Sequence, residues 1–174
     1  IGFCLVGSEM CIRDSFDKDL SGVTVLFDTL KTSSVTELGL AKCRLGPGSL
    51  GRLAEYVREA KAVINSLAVG SNPIGDEAMV QLLDALRDVS LASLDISKTK
   101  SGVSTASKLA ELLSEETAFK AAVLAHLAVG QNQIGSDGGK TLVEAIKTSN
   151  LQSITIGKDL TLPIKGELKS PSLD

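Results

Sequence analysis

The chain switches between two hydrophobic periods. Stretches such as Ser66-Leu67-Ala68-Val69 alternate polar and apolar residues, the two-residue period of a short strand. Between these stretches apolar residues recur at helical spacing. The helical sets are Leu50, Leu53 and Val57; Ala78, Leu82, Ala85 and Leu86; Val103, Ala106, Leu109 and Leu113; and Leu142, Ala145 and Ile146. Leu20, Val23, Leu26, Phe27 and Leu30 form an earlier set of the same kind. Helix starts are expected where a short polar side chain precedes each set: Asp76 after Gly75, Ser101 or Ser104, and Ser136 or Asp137 after Gly135, each capping its own helix. Arg87 and Lys147, near the predicted helix ends, suit the helix dipole.

The alternation is organised by one pattern that returns five times. It reads Val35-x-x-Leu38-x-Leu40-x-x-Cys43-x-Leu45, then Ile64-x-x-Leu67-x-Val69-x-x-Asn72-x-Ile74. It continues as Leu91-x-x-Leu94-x-Ile96-x-x-Thr99, Leu124-x-x-Leu127-x-Val129-x-x-Asn132-x-Ile134 and Leu151-x-x-Ile154-x-Ile156-x-x-Asp159. From Leu38 to Leu67, Leu94, Leu127 and Ile154 the steps are 29, 27, 33 and 27 residues. Such a pattern and period are those of a leucine-rich repeat, an α/β solenoid or horseshoe in which each unit is one strand and one helix. Parallel strands stack about 4.8 Å apart and packed helices about 8–10 Å apart, so the stack must bend. The strands then line the concave face and the helices the convex face.

Asn72 and Asn132 stand where the chain leaves each strand, where an amide can bond backbone groups of its own and the neighbouring unit. Cys43, Thr99 and Asp159 hold the same position, and Cys43 is expected as a buried, inert member of that ladder. The segments Leu67-Ala-Val-Gly-Ser-Asn-Pro-Ile-Gly-Asp-Glu-Ala and Leu127-Ala-Val-Gly-Gln-Asn-Gln-Ile-Gly-Ser-Asp-Gly-Gly resemble the ribonuclease-inhibitor-like class of leucine-rich repeats. The resemblance covers residues 16–162. It implies long repeats with a full helix on the convex side, and a function in holding other proteins. Proteins similar in this way include ribonuclease inhibitors, Ran GTPase-activating proteins, and the sensor arms of NACHT-type receptors. The third copy departs from the pattern: it lacks the Asn and the following Ile-Gly, and its extra length falls around residues 114–121.

Upstream of Phe16 the pattern fails, because continuing it places Arg13 at an inward strand position, a costly burial of charge. Ser8-Glu-Met-Cys-Ile-Arg-Asp-Ser15 resembles a translated sequencing-adapter tail, so residues 1–15 are expected outside the fold. Ser172-Leu173-Asp174 repeats the strand triplet Ser93-Leu94-Asp95, so residues 163–174 are expected to be a connector and the start of a further repeat. The expectation is an internal fragment of a longer array: four complete strand–helix units with a leading helix and a trailing strand.

Composition narrows the function. A net charge of −3 and a pI near 5.3, with basic residues dispersed, argue against nucleic acid and anionic membranes as partners. The longest apolar stretch, residues 121–129, contains His126 and is far short of the roughly 20 residues of a membrane span. The N-terminal run has no basic n-region. The three cysteines (Cys4, Cys11, Cys43) are odd in number and wrongly spaced for zinc, and none of the four asparagines is a glycosylation acceptor. These features together point to a cytoplasmic protein.

The outward strand positions are mostly small: Gly39, Ser66, Ala68, Gly70, Ser93, Ala128, Gly130, Ser153 and Thr155 among them. The side chains able to discriminate a partner on that face are Glu37, Lys42, Asp95, Lys98, His126, Gln131 and Lys158. Alternation places His126 beside Ser93 with Asp95 one step diagonal, but an open sheet face has no oxyanion hole and no means to exclude water, so an exposed polar histidine is the reading. No catalytic residue, metal site, cofactor or small-molecule substrate is expected. Gly135-Ser-Asp-Gly138-Gly139 lacks the lysine and hydroxyl of a phosphate loop, and its glycines are assigned to the turn into a helix. Tyr56 is expected to pack partly under a neighbouring helix, and Glu111, Glu115 and Glu116 to form a solvated acidic face. The expected function is a non-catalytic protein-binding scaffold, the alternatives being a small-GTPase regulator or a receptor sensor arm. Deleting residues 1–15 should leave the thermal unfolding midpoint unchanged; a lowered midpoint would make that segment part of the fold.

Overall fold

Each strand is three residues long and carries one large aliphatic side chain at its centre, and these central residues set the register of the sheet. The computed structural model describes residues 17, 19–60, 64–114, 124–156 and 161–164. The expectations for residues 1–15, for most of the extra length near residues 114–121, and for Lys158 and Asp159 lie outside the described residues. The elements run α1 (Ser21–Leu30), β1 (Glu37–Gly39), α2 (Pro47–Ala60), β2 (Ser66–Ala68), α3 (Asp76–Leu86) and β3 (Ser93–Asp95). They continue as α4 (Val103–Ser114), β4 (His126–Ala128), α5 (Gly135–Thr148), β5 (Ser153–Thr155) and β6 (Thr161–Pro163). All strands lie in one sheet in sequence order, and β1 to β5 are parallel. Leu38, Leu67, Leu94, Leu127 and Ile154 form a single cross-strand row. Each helix packs on its predecessor, α1 on α2 through to α4 on α5. The result is a mixed α/β layer structure.

The core lies between the strand row and the helices. Leu67, Leu94 and Leu127 are buried, as are Leu50, Leu53, Met79, Leu82, Leu86, Leu109 and Leu113 behind them. The two aromatic rings of Phe27 (α1) and Tyr56 (α2) stack with centroids 5.6 Å apart. Tyr56 is therefore fully buried rather than partly packed, and its burial raises the phenol pKa. Gly138 lets α5 approach α4: a Cβ there would stand 3.0 Å from the Ala106 methyl and 2.9 Å from Ile134. Of the glycines assigned to the turn, Gly135 takes the left-handed conformation (φ 68°), whereas Gly138 serves close packing.

Two apolar positions depart from the expected core. Val103 is 48% exposed because it opens α4, ahead of the turn that packs. Ile156 is 45% exposed because among the described residues no helix follows β5 to cover it. After β5 the sheet gains β6, antiparallel to β5; the expected start of a further repeat at residues 172–174 lies outside the described residues. Thr155 and Thr161 share a hydroxyl hydrogen bond of 2.7 Å, and Pro163 sits on the outer strand. A proline on an edge strand has no N–H to offer, which blunts further pairing.

The junctions between units are closed by single polar side chains: asparagines where the sequence pointed, and aspartates in a role it did not assign them. Asp76 is the first residue of α3 but does not cap it; the N-cap, Gly75, offers no side chain. Its carboxylate instead reaches the next helix, accepting hydrogen bonds from the backbone N–H of Gly102 (2.8 Å), Thr105 (2.9 Å) and Ser104 (3.1 Å), and from the Thr105 hydroxyl. Asp17, ahead of α1, does the same for α2, accepting from the N–H of Gly48 (2.6 Å), Ser49 (3.1 Å) and Gly46 (3.2 Å) and from the Ser49 hydroxyl. The equivalent positions opening α2 and α4 are Pro47 and Val103, which cannot accept, and α3 and α5 have no side-chain cap. Neither Ser136 nor Asp137 caps α5, and the free amides of α4 go to Asp76 rather than to Ser101 or Ser104.

The junctions lacking an aspartate are the ones that carry asparagine. Asn72, fully buried, donates to Leu40 O of the preceding unit (2.8 Å) and to Val69 O of its own (2.8 Å), and accepts from Leu45 N–H (3.0 Å). Asn132 repeats this, donating to Ile96 O (2.7 Å) and Val129 O (3.0 Å) and accepting from Thr99 N–H (2.8 Å). The ladder thus exists, but its asparagines reach only backwards. Cys43 is half-buried rather than buried, since among the described residues no strand precedes β1 to cover it.

Two outcomes are expected. Leu94→Ala should cost about 2–5 kcal/mol in denaturant unfolding, as deletion of a buried leucine does; an unchanged midpoint would place β3 outside the core. For Asp76, burial pushes the carboxyl pKa up, but the hydrogen bonds from Thr105, Gly102 and Ser104 outweigh it and hold the group at about 2, below its ordinary 3.8. A depressed pKa stabilises the fold fully above the unfolded value and loses that contribution as pH falls through the folded one. Asp76→Ala should therefore cost about 1–2 kcal/mol at neutral pH. The gap from wild type should close as pH is lowered from about 4 to about 2; a gap independent of pH would remove the charge from the capping account.

Candidate functional site

The helical face and the sheet face differ in how they treat charge. On the helices, cations are neutralised locally: Lys31 meets Glu59 (2.8 Å) and Asp28 (2.9 Å), Lys108 meets Asp84 (2.7 Å) and Glu111 (2.8 Å). Arg52 pairs with Glu55 and Lys147 with Glu144. Glu111 thus pairs within α4 with Lys108, which in turn bridges to Asp84 of α3; Glu115 and Glu116 lie outside the described residues. The sheet face, by contrast, presents small residues punctuated by a few unneutralised ones.

Parallel register sorts that face into rows. The strand-start row is Glu37, Ser66, Ser93, His126 and Ser153. Glu37 and His126 are both exposed but three strands apart, so they do not act together. His126 Nδ1 shares a 2.6 Å hydrogen bond with Ser153 Oγ. Two residues along, Asp95 accepts from Ser97 N–H (2.8 Å) and Ser97 Oγ (2.7 Å). The histidine is thus engaged with β5 and the aspartate with its own strand exit, and the three groups Ser93, His126 and Asp95 do not join into a relay. Asp95 leans over the neighbouring strand: a Cβ on Gly70 would meet its carboxylate at 2.9 Å. Glycine at 70 is what allows this carboxylate to lie across the face.

Beyond the strands a third row forms at the turns. Lys42, Ser71, Lys98 and Gln131 are in equivalent positions, all with left-handed φ of 56–59°. The ladder persists into this row: Lys42 N–H donates to Gly70 O (3.0 Å), Ser71 N–H to Ser97 O (2.7 Å) and Lys98 N–H to Gly130 O (2.9 Å). Lys42, Lys98 and Gln131 are exposed. No ion pair joins Lys98 to Asp95, although both stand on the same strand exit. Of the residues singled out in sequence, the structure groups Lys42, Lys98 and Gln131 in one row, places Asp95 one step inside it, and sets Glu37 and His126 at the opposite strand ends. Lys158 lies outside the described residues.

No protein-family model matches the chain, and no curated protein sequence matches it. The site must be read from its own geometry.

Two features were missed in sequence. Arg44 and Lys100 also adopt left-handed φ (55° and 61°) and are exposed, two residues beyond Lys42 and Lys98. The signal was available: a cation on each side of Cys43 and of Thr99, absent around Asn72 and Asn132. The second is a cleft of about 520 Å³ between the starts of α2 and α3, lined by Pro47, Gly48, Ile74, Gly75, Asp76 and Glu77 among others. It opens where Pro47 replaces a capping carboxylate. Its one strongly held acid, Asp76, is committed to α4. Among the described residues, no group of three or more His, Cys, Asp or Glu side chains gathers to hold a metal ion.

Proposed function

We propose that this chain is a leucine-rich-repeat solenoid of the ribonuclease-inhibitor-like class that binds another protein on its exposed sheet face and has no catalytic activity of its own. The observation that carries the reading is the register. Residues recurring every 27 to 33 positions stand side by side on five parallel strands, so a sequence repeat becomes a continuous surface. One face of that surface is sealed on helices; the other is open, small in relief and marked by Glu37, Asp95 and His126, with Lys42, Lys98 and Gln131 along its rim. Binding there proceeds by close approach to backbone and small side chains, with scattered charges fixing register. The absence of relief suits a macromolecule rather than a small substrate, which needs concavity.

The same reading places the protein in the cytoplasm, on the odd number of cysteines and the lack of glycosylation acceptors. Among the described residues no helix is long and apolar enough to cross a membrane.

Asp95→Ala combined with His126→Ala removes two of the three discriminating groups inside the strands without touching the core. The double variant should keep the wild-type unfolding midpoint and lose at least about tenfold in affinity for a protein captured by the wild-type chain. Unchanged affinity would move binding off the sheet face. Ester hydrolysis that disappears in His126→Ala would overturn the non-catalytic reading.

A further inference from the structure

The rim at the strand exits carries more charge than the face it borders. Lys42 and Arg44 flank one turn, Lys98 and Lys100 flank the turn two units later, and all four are exposed. Among the described residues none of the four has an ion-pair partner, whereas Lys31, Arg52, Lys108, Lys140 and Lys147 on the helices each meet a carboxylate. Among the described residues Arg58 on α2 likewise joins no ion pair. Between the two basic pairs lie Ser71 and Pro73, which are neutral and short. The rim is therefore two separate positive stations rather than a diffuse field, on a chain whose net charge is negative.

The backbone adds a second observation. All four cations hold left-handed φ, from 55° to 61°. That conformation is unfavourable for a residue with a Cβ and favours glycine or asparagine. Ser71 and Gln131 hold the same φ at the equivalent turns, so the conformation belongs to the repeated turn, and what it does here is hold the four cations in two equivalent settings.

The spacing identifies the ligand. Lys42 and Lys98 are two strands apart, bonded equivalently to Gly70 O and Gly130 O, so equivalent atoms are about 9.6 Å apart along the stack. A polyproline II helix repeats every three residues at about 3.1 Å each, a pitch of about 9.3 Å with every third side chain on one side. An extended strand fails this match: its same-side residues recur at about 6.6–6.8 Å, and its third residue points away. We propose, building on the binding reading above, that the rim of Lys42, Arg44, Lys98 and Lys100 docks an acidic protein segment in polyproline II conformation, with a carboxylate at every third residue. One carboxylate sits between Lys42 and Arg44 and the next between Lys98 and Lys100. The neutral turn of Ser71 and Pro73 lies under the intervening two residues.

The test is fluorescence anisotropy on the full 174-residue chain. The probe is a labelled proline-rich peptide of about nine residues with glutamate at every third position. The comparison peptide has the same composition with its glutamates contiguous. The spaced peptide should bind more tightly, and its affinity should fall with added salt. Lys42→Gly with Lys98→Gly should weaken it at least about tenfold while leaving the unfolding midpoint unchanged or raised, because glycine relieves the left-handed strain. Lys140→Ala on α5 should change affinity less than about twofold. Equal binding of the two peptides, or equal loss in the Lys140 control, overturns the proposal. So does failure of the spaced peptide to bind, or tighter binding of single-stranded DNA or heparin to the same rim. Such a failure leaves the sheet-face reading standing if the Asp95 and His126 variant still loses its captured protein, so the two are separable.

Discussion

The structure depends on how it satisfies backbone polar groups at the points where each strand turns into its helix. A unit made of a three-residue strand and one helix has little intrinsic means of doing so, since strand exits and helix starts leave N–H and C=O groups facing inward. Leaving one such group unpaired costs about 1–3 kcal/mol, so a stack of such units is tenable only if neighbours supply the missing partners. Here each junction is closed by a single side chain. Asp17 and Asp76 reach forward to the helix starts of α2 and α4, and Asn72 and Asn132 reach back to the strand exits of the first and third units. The two chemistries alternate along the stack. Each unit thus depends on its neighbour for backbone satisfaction as well as for burial of its leucines.

That arrangement explains why the fold was legible in outline and obscure at the seams. The strand row was visible because Leu38, Leu67, Leu94, Leu127 and Ile154 answer to a purely periodic constraint, burial of one side chain per unit, and periodicity survives without knowledge of neighbours. The helical sets were visible for the same reason. Caps were misplaced because the rule linking a polar residue to a helix start is local, and Asp76 obeys it in sequence while serving a helix 26 residues away. Nothing in the local pattern separates a carboxylate that caps its own helix from one that caps the next. β6 was hidden because its partner is set by a chain reversal rather than by the repeat, and the exposure of Ile156 follows from the same break in the pattern.

The binding surface shows a similar division. Asp95 and His126 could be placed on the open face because strand alternation dictates sides, and Lys42 and Lys98 because they follow their strands closely. Their interactions could not: alternation pairs His126 with Ser93 and with Ser153 equally, and the structure engages Ser153. Arg44 and Lys100 were overlooked since they fall beyond the strand, where side alternation no longer applies; the cations flanking Cys43 and Thr99 were the signal in the sequence, and the shared left-handed φ joins them to Lys42 and Lys98.

The alternation of aspartate and asparagine junctions also decides what a change in the number of units would cost. Excise the second unit alone, and the first would abut the third. Pro47 would then stand where Asp76 serves α4, and Thr99 where Asn72 holds Leu40 and Leu45, so both bridges at the new seam would be lost. Excise the second and third together, and Asn132 would arrive at the seam that Asn72 had closed, restoring the bridge it replaced. Excise the third unit alone, by contrast, and Asp76 and Asn132 would face the same seam from its two sides, one reaching forward and one back. What a lost unit costs is therefore set by which side chains its removal brings together, and not by how many units are removed.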